Sequence, residues 1–202
     1  EDNDLLTRTG SATPMGQYMR RFWHPICMSM ELTDTPRFLK IMTEELVAFR
    51  DGSGRVGVLH AHCVHRGASL EYGAIQERGI QCCYHGMVFD VDGACLHVPF
   101  PAGEEAEAEK YACSIRQGAY KAVERNGLVF AYMGPPDEEP PFPEWEGDFT
   151  VLPGDELVPY SNFQHCNWLQ VQDNAADNYH PTALHAGKNV VGGHYQGTAF
   201  DE

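Results

Sequence analysis

Two short segments, Cys63-Val64-His65 and Cys82-Cys83-Tyr84-His85, each pair one thiol with one imidazole, and sixteen residues separate them. No other feature constrains the chain as much. Four soft or borderline ligands in two halves, each half placed after a β-like run (Val58 to Ala61, and Gly79 to Gln81), require two chain reversals that face each other. Gly67 and Gly86 follow the two halves closely, as tight loops at a metal would need. Such a pattern demands a strand-rich scaffold that brings distant turns together.

Two kinds of metal centre suit two cysteines and two histidines. Zinc takes them tetrahedrally, but its usual spacing pairs Cys with Cys and His with His. Here the types alternate. A Rieske [2Fe–2S] centre holds one iron by two thiolates and the other by two imidazoles. Two facing Cys–His loops deliver that set directly, so Cys63, His65, Cys82 and His85 point to a [2Fe–2S] cluster. Cys83, lying between two ligands, is read as a packing residue that points away, and His62 as facing the opposite side from Cys63. Cys27, Cys95, Cys113 and Cys166 have no paired spacing and read as buried small apolar groups. An odd total of seven cysteines argues against a disulfide framework.

The surrounding pattern is that of short strands and tight turns from Phe38 to about Gly134. Leu46–Arg50 and Arg55–Leu59 form a hairpin around Asp51–Gly54. Met87–Phe89 and Ala94–Val98 form another around Asp92-Gly93. Gly127–Tyr132 reads as a buried strand. Residues 1–20 read as a loose polar arm, and Gly103–Lys110 as a short exposed helix or a loop. Residues 134–143 contain five prolines, which exclude a helix or an inner strand. They read as a linker, giving a first domain over 1–147 and a second from 148 to 202. The second opens with a strand around Glu156–Phe163 and turns helical from Cys166.

That second segment holds His180 and His185, five residues apart. Two histidines and one carboxylate, with open positions, make the facial triad of non-haem Fe(II) oxygenases. Alone, the pair is weak evidence. The remaining histidines, His24, His60, His97, His165 and His194, match no ligand position.

Cys63-Val64-His65-Arg66-Gly67 with Cys82-Cys83-Tyr84-His85-Gly86 resembles the Rieske motif of the Rieske non-haem iron ring-hydroxylating oxygenases, most closely the phthalate-dioxygenase-like branch. Arg21-Phe22-Trp23-His24-Pro25, Glu45–Arg50 and Gly127–Gly134 are similar to the family as well, and the likeness runs from about Met15 to Gly187. Met87 departs from it, since many members carry tryptophan there. The resemblance implies an α+β protein: an all-β Rieske domain followed by the start of a helix-grip catalytic domain. It implies Fe(II) held by His180 and His185, with Asp177 bridging a cluster histidine of one subunit to an iron ligand of the next in a homotrimer. Asp173 is a weaker candidate beside it. The third iron ligand would be a carboxylate further downstream, so the chain reads as the N-terminal part of a longer enzyme. Electrons would come from NADH through a separate flavin and iron–sulfur reductase, with or without a ferredoxin. O2 and a small aromatic substrate would complete the reaction. A Rieske ferredoxin-type carrier, which needs only the four cluster ligands, is the alternative.

A formal net charge of −15 and a longest basic run of Arg20-Arg21 argue against nucleic acid. The absence of a long apolar run argues against a membrane span, and with no secretory leader evident the expected setting is cytoplasmic.

Overall fold

The computed structural model describes residues 3–101, 103–143, 155 and 158–181. The chain divides into a larger unit, Arg8–Asn162, and a smaller one that joins Glu1–Thr7 to Phe163–Glu202.

The larger unit is built on antiparallel strands. Its first sheet holds β1 (Trp23–Met28), β2 (Arg37–Ile41), β3 (Glu44–Arg50), β4 (Val56–His60), β9 (Ala119–Arg125) and β10 (Leu128–Tyr132), in the order β1-β10-β9-β4-β3-β2. The second holds β5 (Ala74–Ile75), β6 (Ile80–Gln81), β7 (Val88–Phe89) and β8 (Cys95–His97), in sequence order. The hairpin expected around residues 51–54 forms, with Leu46 opposite His60 and Arg50 opposite Val56. Asp51 builds its turn. The buried carboxylate accepts from Ser53 Oγ at 2.6 Å, from the Arg55 backbone N–H at 3.0 Å and from the Gly79 N–H at 3.2 Å. The last of these ties the first sheet to the turn between β5 and β6. Strands β9 and β10 join through Asn126-Gly127, both with positive φ (52° and 76°), the conformation a two-residue hairpin with the right twist requires.

Leu46, Val47, Ala48 and Phe49 are all fully buried because β3 has a core on each face. Val47 and Phe49 join Leu59, Ala61, Leu70, Ile80, Met87 and Phe89 in one cluster. Leu46 and Ala48 join Val58, Val129, Ala131 and Met133 in another. The period of two thus sends alternate residues to different cores. Met87 fills the first core as the shorter, adaptable side chain.

Several expectations need correction. Residues 3–20 are no loose arm: α1 (Asp4–Thr7) and α2 (Pro14–Met19) form there, the latter capped by Thr13 Oγ1 accepting from the Gly16 N–H at 3.2 Å. Arg20, just after α2, is buried and reaches Glu44 Oε1 at 2.7 Å. Of the two readings of the acidic stretch after Gly103 the helix holds, but α3 (Glu105–Ser114) runs past Lys110, because Ala112 buries itself in the first core. The proline-rich stretch packs on the sheet through Phe142, whose ring meets Trp23 and Phe130, while Trp23 Nε1 donates to Pro140 O at 3.1 Å. The strand expected over 156–163 is not present among its described residues, 158–163. The expected boundary at 147/148 lies outside the described residues.

In the smaller unit α4 (Trp168–Ala176) begins at the helical run expected from Cys166, with Asn167 Oδ1 accepting from the Leu169 N–H at 3.1 Å. Trp168 Nε1 and Asn167 Nδ2 donate to the carbonyls of Leu6 and Thr7, so α1 and α4 hold each other. Among the described residues no helix is long and apolar enough to cross a membrane.

Candidate metal centre

Two loops share one backbone plan. In the first, the Cys63 N–H donates to Ala68 O at 2.8 Å and the Gly67 N–H returns to Cys63 O at 2.8 Å. In the second, the Cys82 N–H donates to Met87 O at 2.8 Å and the Gly86 N–H returns to Cys82 O at 3.0 Å. Both chains turn back at a left-handed glycine, Gly67 at φ 73° and Gly86 at φ 72°, a conformation that a Cβ would strain. The first loop extends from the end of β4. The second joins β6 to β7. The pairing of β6 with both β5 and β7 therefore presents the second loop, and the contact between the shared core and both loops sets them against each other.

The loops sort their ligands by type. Cys63 and Cys82 are each 3 % exposed and belong to the first core. The Cys82 thiol acts directly on the Cys63 thiol, and the nearby backbone N–H groups of His65 and Arg66 favour its thiolate form. Burial, with the Cys82 thiol alongside, pushes the Cys63 thiol up to about 11. A cation there would reverse that effect by favouring the thiolate. His65 and His85 are exposed, with ring centroids 4.7 Å apart and planes at 68°. The Tyr84 ring lies over His85 at 3.8 Å.

Thiol sits beside thiol inside, and imidazole beside imidazole outside. Among the described residues no three His, Cys, Asp or Glu side chains converge on a point that one metal ion could occupy. The pairing fits two irons, one with two thiolates and one with two imidazoles.

A buried glutamine completes the first loop, and the sequence reading missed it. Gln117 Oε1 accepts the Val64 N–H at 2.7 Å, and its Nε2 donates to the carbonyls of His60 and His62 at 2.8 and 2.9 Å. No motif marks it, because its partners are backbone atoms more than fifty residues away in sequence.

His62 turns away from the thiols as expected, to Glu45 Oε2 at 2.9 Å, whose hydrogen bond raises the imidazole above its usual range. Cys83 is exposed rather than packed, and so are Cys113 and Cys166; Cys27 is buried and Cys95 half-buried. The first expectation fails because the loop tip projects outward, the others because α3 and the segment before α4 turn those faces to solvent.

In the smaller unit, Asp177 ends α4. Its Oδ1 accepts the Tyr179 N–H at 2.8 Å and its Oδ2 lies 3.8 Å from His180 Nδ1. The acid and the histidine expected to cooperate are therefore neighbours. His185, like His194, lies outside the described residues.

This strand architecture, with two mirrored Cys–His loops, defines a Rieske-type iron–sulfur domain. Residues 22–122 match the Rieske [2Fe-2S] domain family, and the chain belongs to that family. It is 56 % identical over 188 residues to the tert-butanol monooxygenase / tert-amyl alcohol desaturase oxygenase subunit of Aquincola tertiaricarbonis, covering 93 % of this chain and 39 % of that protein. It is 38 % identical over 203 residues to the phthalate 4,5-dioxygenase oxygenase subunit of Pseudomonas putida, covering 96 % of this chain and 44 % of the relative. Dicamba monooxygenase with non-heme iron and dicamba superposes with a TM-score of 0.55 at 29 % identity, over 64 % of this chain and 38 % of that one. The chain thus spans about two fifths of the length of the relatives it matches.

Proposed function

We propose that this chain is the cluster-bearing part, and the beginning of the iron-bearing part, of the α-subunit of a Rieske non-haem iron oxygenase. One observation carries the reading. The chain has both the Cys63–His65–Cys82–His85 loops and, after α4, Asp177 held against His180. An electron carrier requires only the first.

In this reading Cys63 and Cys82 hold the inner iron of a [2Fe–2S] cluster and His65 and His85 the outer one. His180 and His185 hold Fe(II). When bound, the cluster delivers single electrons and the Fe(II) centre activates O2. The protein's part is to shield the thiolates in the first core and present the two imidazoles at the surface, where another protein or subunit can approach them. Asp177 accepts hydrogen bonds and fixes the tautomer of the histidine it faces. Its bridging position between subunits would make a closed head-to-tail trimer the working unit. A reductase supplies electrons from NADH, with or without a ferredoxin, and the reliance on NADH carries a cytoplasmic setting with it. The substrate is a small aromatic compound, a reading supported by the phthalate dioxygenase and dicamba monooxygenase likenesses. A second reading, a small tertiary alcohol, is favoured by the 56 % identity to the tert-butanol monooxygenase subunit.

The test is turnover under 18-O2, with NADH and a flavin reductase, of a panel holding aromatic acids, aromatic ethers and tertiary alcohols. Labelled product from one class supports the oxygenase and names its substrate. Reversible cluster reduction without bound mononuclear iron, and with no labelled product from any class, would leave the ferredoxin-type carrier.

A further inference from the structure

Gln117 is 1 % exposed, yet its carboxamide makes three hydrogen bonds, all to backbone atoms on either side of Cys63. Burying a carboxamide is costly unless its polar atoms are paired. A residue that only filled space here would be apolar.

The anchor is itself fixed from both sheets. The Gln117 N–H donates to Gly93 O at 2.8 Å, and the His60 N–H donates to Gly118 O at 2.8 Å. Gly93 has φ 81°, and a Cβ there would stand 2.1 Å from Gln117 O, so the turn after β7 presses directly on this segment. The carboxamide therefore projects from a rigid base into the first ligand loop.

Its effect on the loop follows from peptide planarity. One Nε2 takes the carbonyls of residues 60 and 62, two apart on an extended chain, and Oε1 takes the N–H of residue 64. With those three peptide planes held, the Val64 N–H faces the glutamine, and the path of the loop on both sides of Cys63 is set. N–H donors to a cluster sulfur raise the reduction potential because they stabilise the electron-rich reduced form.

We propose that Gln117 is a positioning residue of the cluster: its carboxamide fixes the peptide planes on both sides of Cys63, so that the backbone N–H groups of the first ligand loop keep one orientation toward the cluster, and it thereby sets the cluster's potential. The inference rests on the ligand reading above.

The test uses the reduced holoprotein, read by EPR and by redox titration. Gln117→Met keeps the volume and removes all three bonds. It should lower the midpoint potential, shift the g values and weaken cluster retention under chelator challenge about tenfold. Gln117→Asn, whose shorter amide cannot span all three partners, should move each quantity the same way by less, and it serves if the methionine variant does not accumulate. Val129→Ala, in the other core, should lower Tm while leaving the potential and g values unmoved. Wild-type potential and g values in both Gln117 variants would overturn the proposal, as would an equal shift in Val129→Ala. A wild-type protein without a Rieske signal would overturn the ligand assignment itself.

Discussion

The rings of His65 and His85 meet edge to face with centroids 4.7 Å apart, at the surface ends of two loops in which Cys63 and Cys82 are buried. Exchanging one imidazole for a thiolate there adds negative charge to the outer position. His85→Cys, or His65→Cys, should lower the reduction potential of the cluster and raise the average g of its EPR signal toward that of an all-cysteine centre. An unchanged potential would remove these histidines from the ligand set.

His180 stands beside Asp177 in the smaller unit, with none of the cluster ligands in its sequence segment. On the proposed oxygenase reading, His180→Ala in the whole protein should abolish product formation and mononuclear iron binding while the visible spectrum of the cluster survives. Iron and cluster analyses on the same sample decide it: loss of the cluster with mononuclear iron retained would refute the assignment.

Asp177→Asn keeps the size and removes the charge. Both centres should stay loaded and the cluster should still be reduced by its partner, while cluster reoxidation on mixing with O2 and substrate slows strongly. If the aspartate serves only to hold the Tyr179 N–H at the end of α4, the loss is limited to about 1 kcal/mol of stability and turnover is normal. Rapid-mix optical traces separate the two outcomes.

Arg20 is buried with its guanidinium on Glu44 and on the carbonyls of Thr9, Gly16 and Met42, and Glu44 also accepts from the Tyr120 hydroxyl. Arg20→Met leaves that carboxylate its Tyr120 hydrogen bond but removes its buried cation. The expected destabilisation is about 3–5 kcal/mol by denaturant unfolding. Adding Glu44→Gln should cost less than the sum of the single changes, because the two share one network.

Burial pushes the Cys27 thiol from its ordinary 9.0 up to about 11. The unfolded chain therefore releases this proton first, and stability falls as pH rises from about 9 to 11. Against Cys27→Ala, the unsubstituted protein should show a decline steeper by about 1.4 kcal/mol per pH unit in that window. Parallel curves for the two proteins would mean that the thiol does not ionise on folding-sensitive terms.

The alternation of Cys and His at residues 63, 65, 82 and 85 was enough to propose the ligand types, and the period-two pattern of β3 and β4 was enough to place a hairpin beside them, because both depend on covalent spacing and local backbone preference. The Asp92-Gly93 turn was legible for the same reason. What depended on distant partners was not. The arm before Trp23 is held down because Arg20 finds Glu44 and α1 finds α4, pairings without a local signature, although Thr13-Pro14 is itself a local start signal for α2. The helix after Gly103 outruns its acidic stretch because Ala112 meets a core assembled from strands far earlier in the chain. The inside–outside sorting of thiols and imidazoles, and the hold of Gln117 on the Cys63 loop, arise only when two sheets close over one core. Sequence by itself determined which atoms could bind iron; the tertiary structure decided which of them are shielded, which face outward and what keeps them there, since burial and long-range hydrogen bonds are properties of the packed chain and not of its spacing.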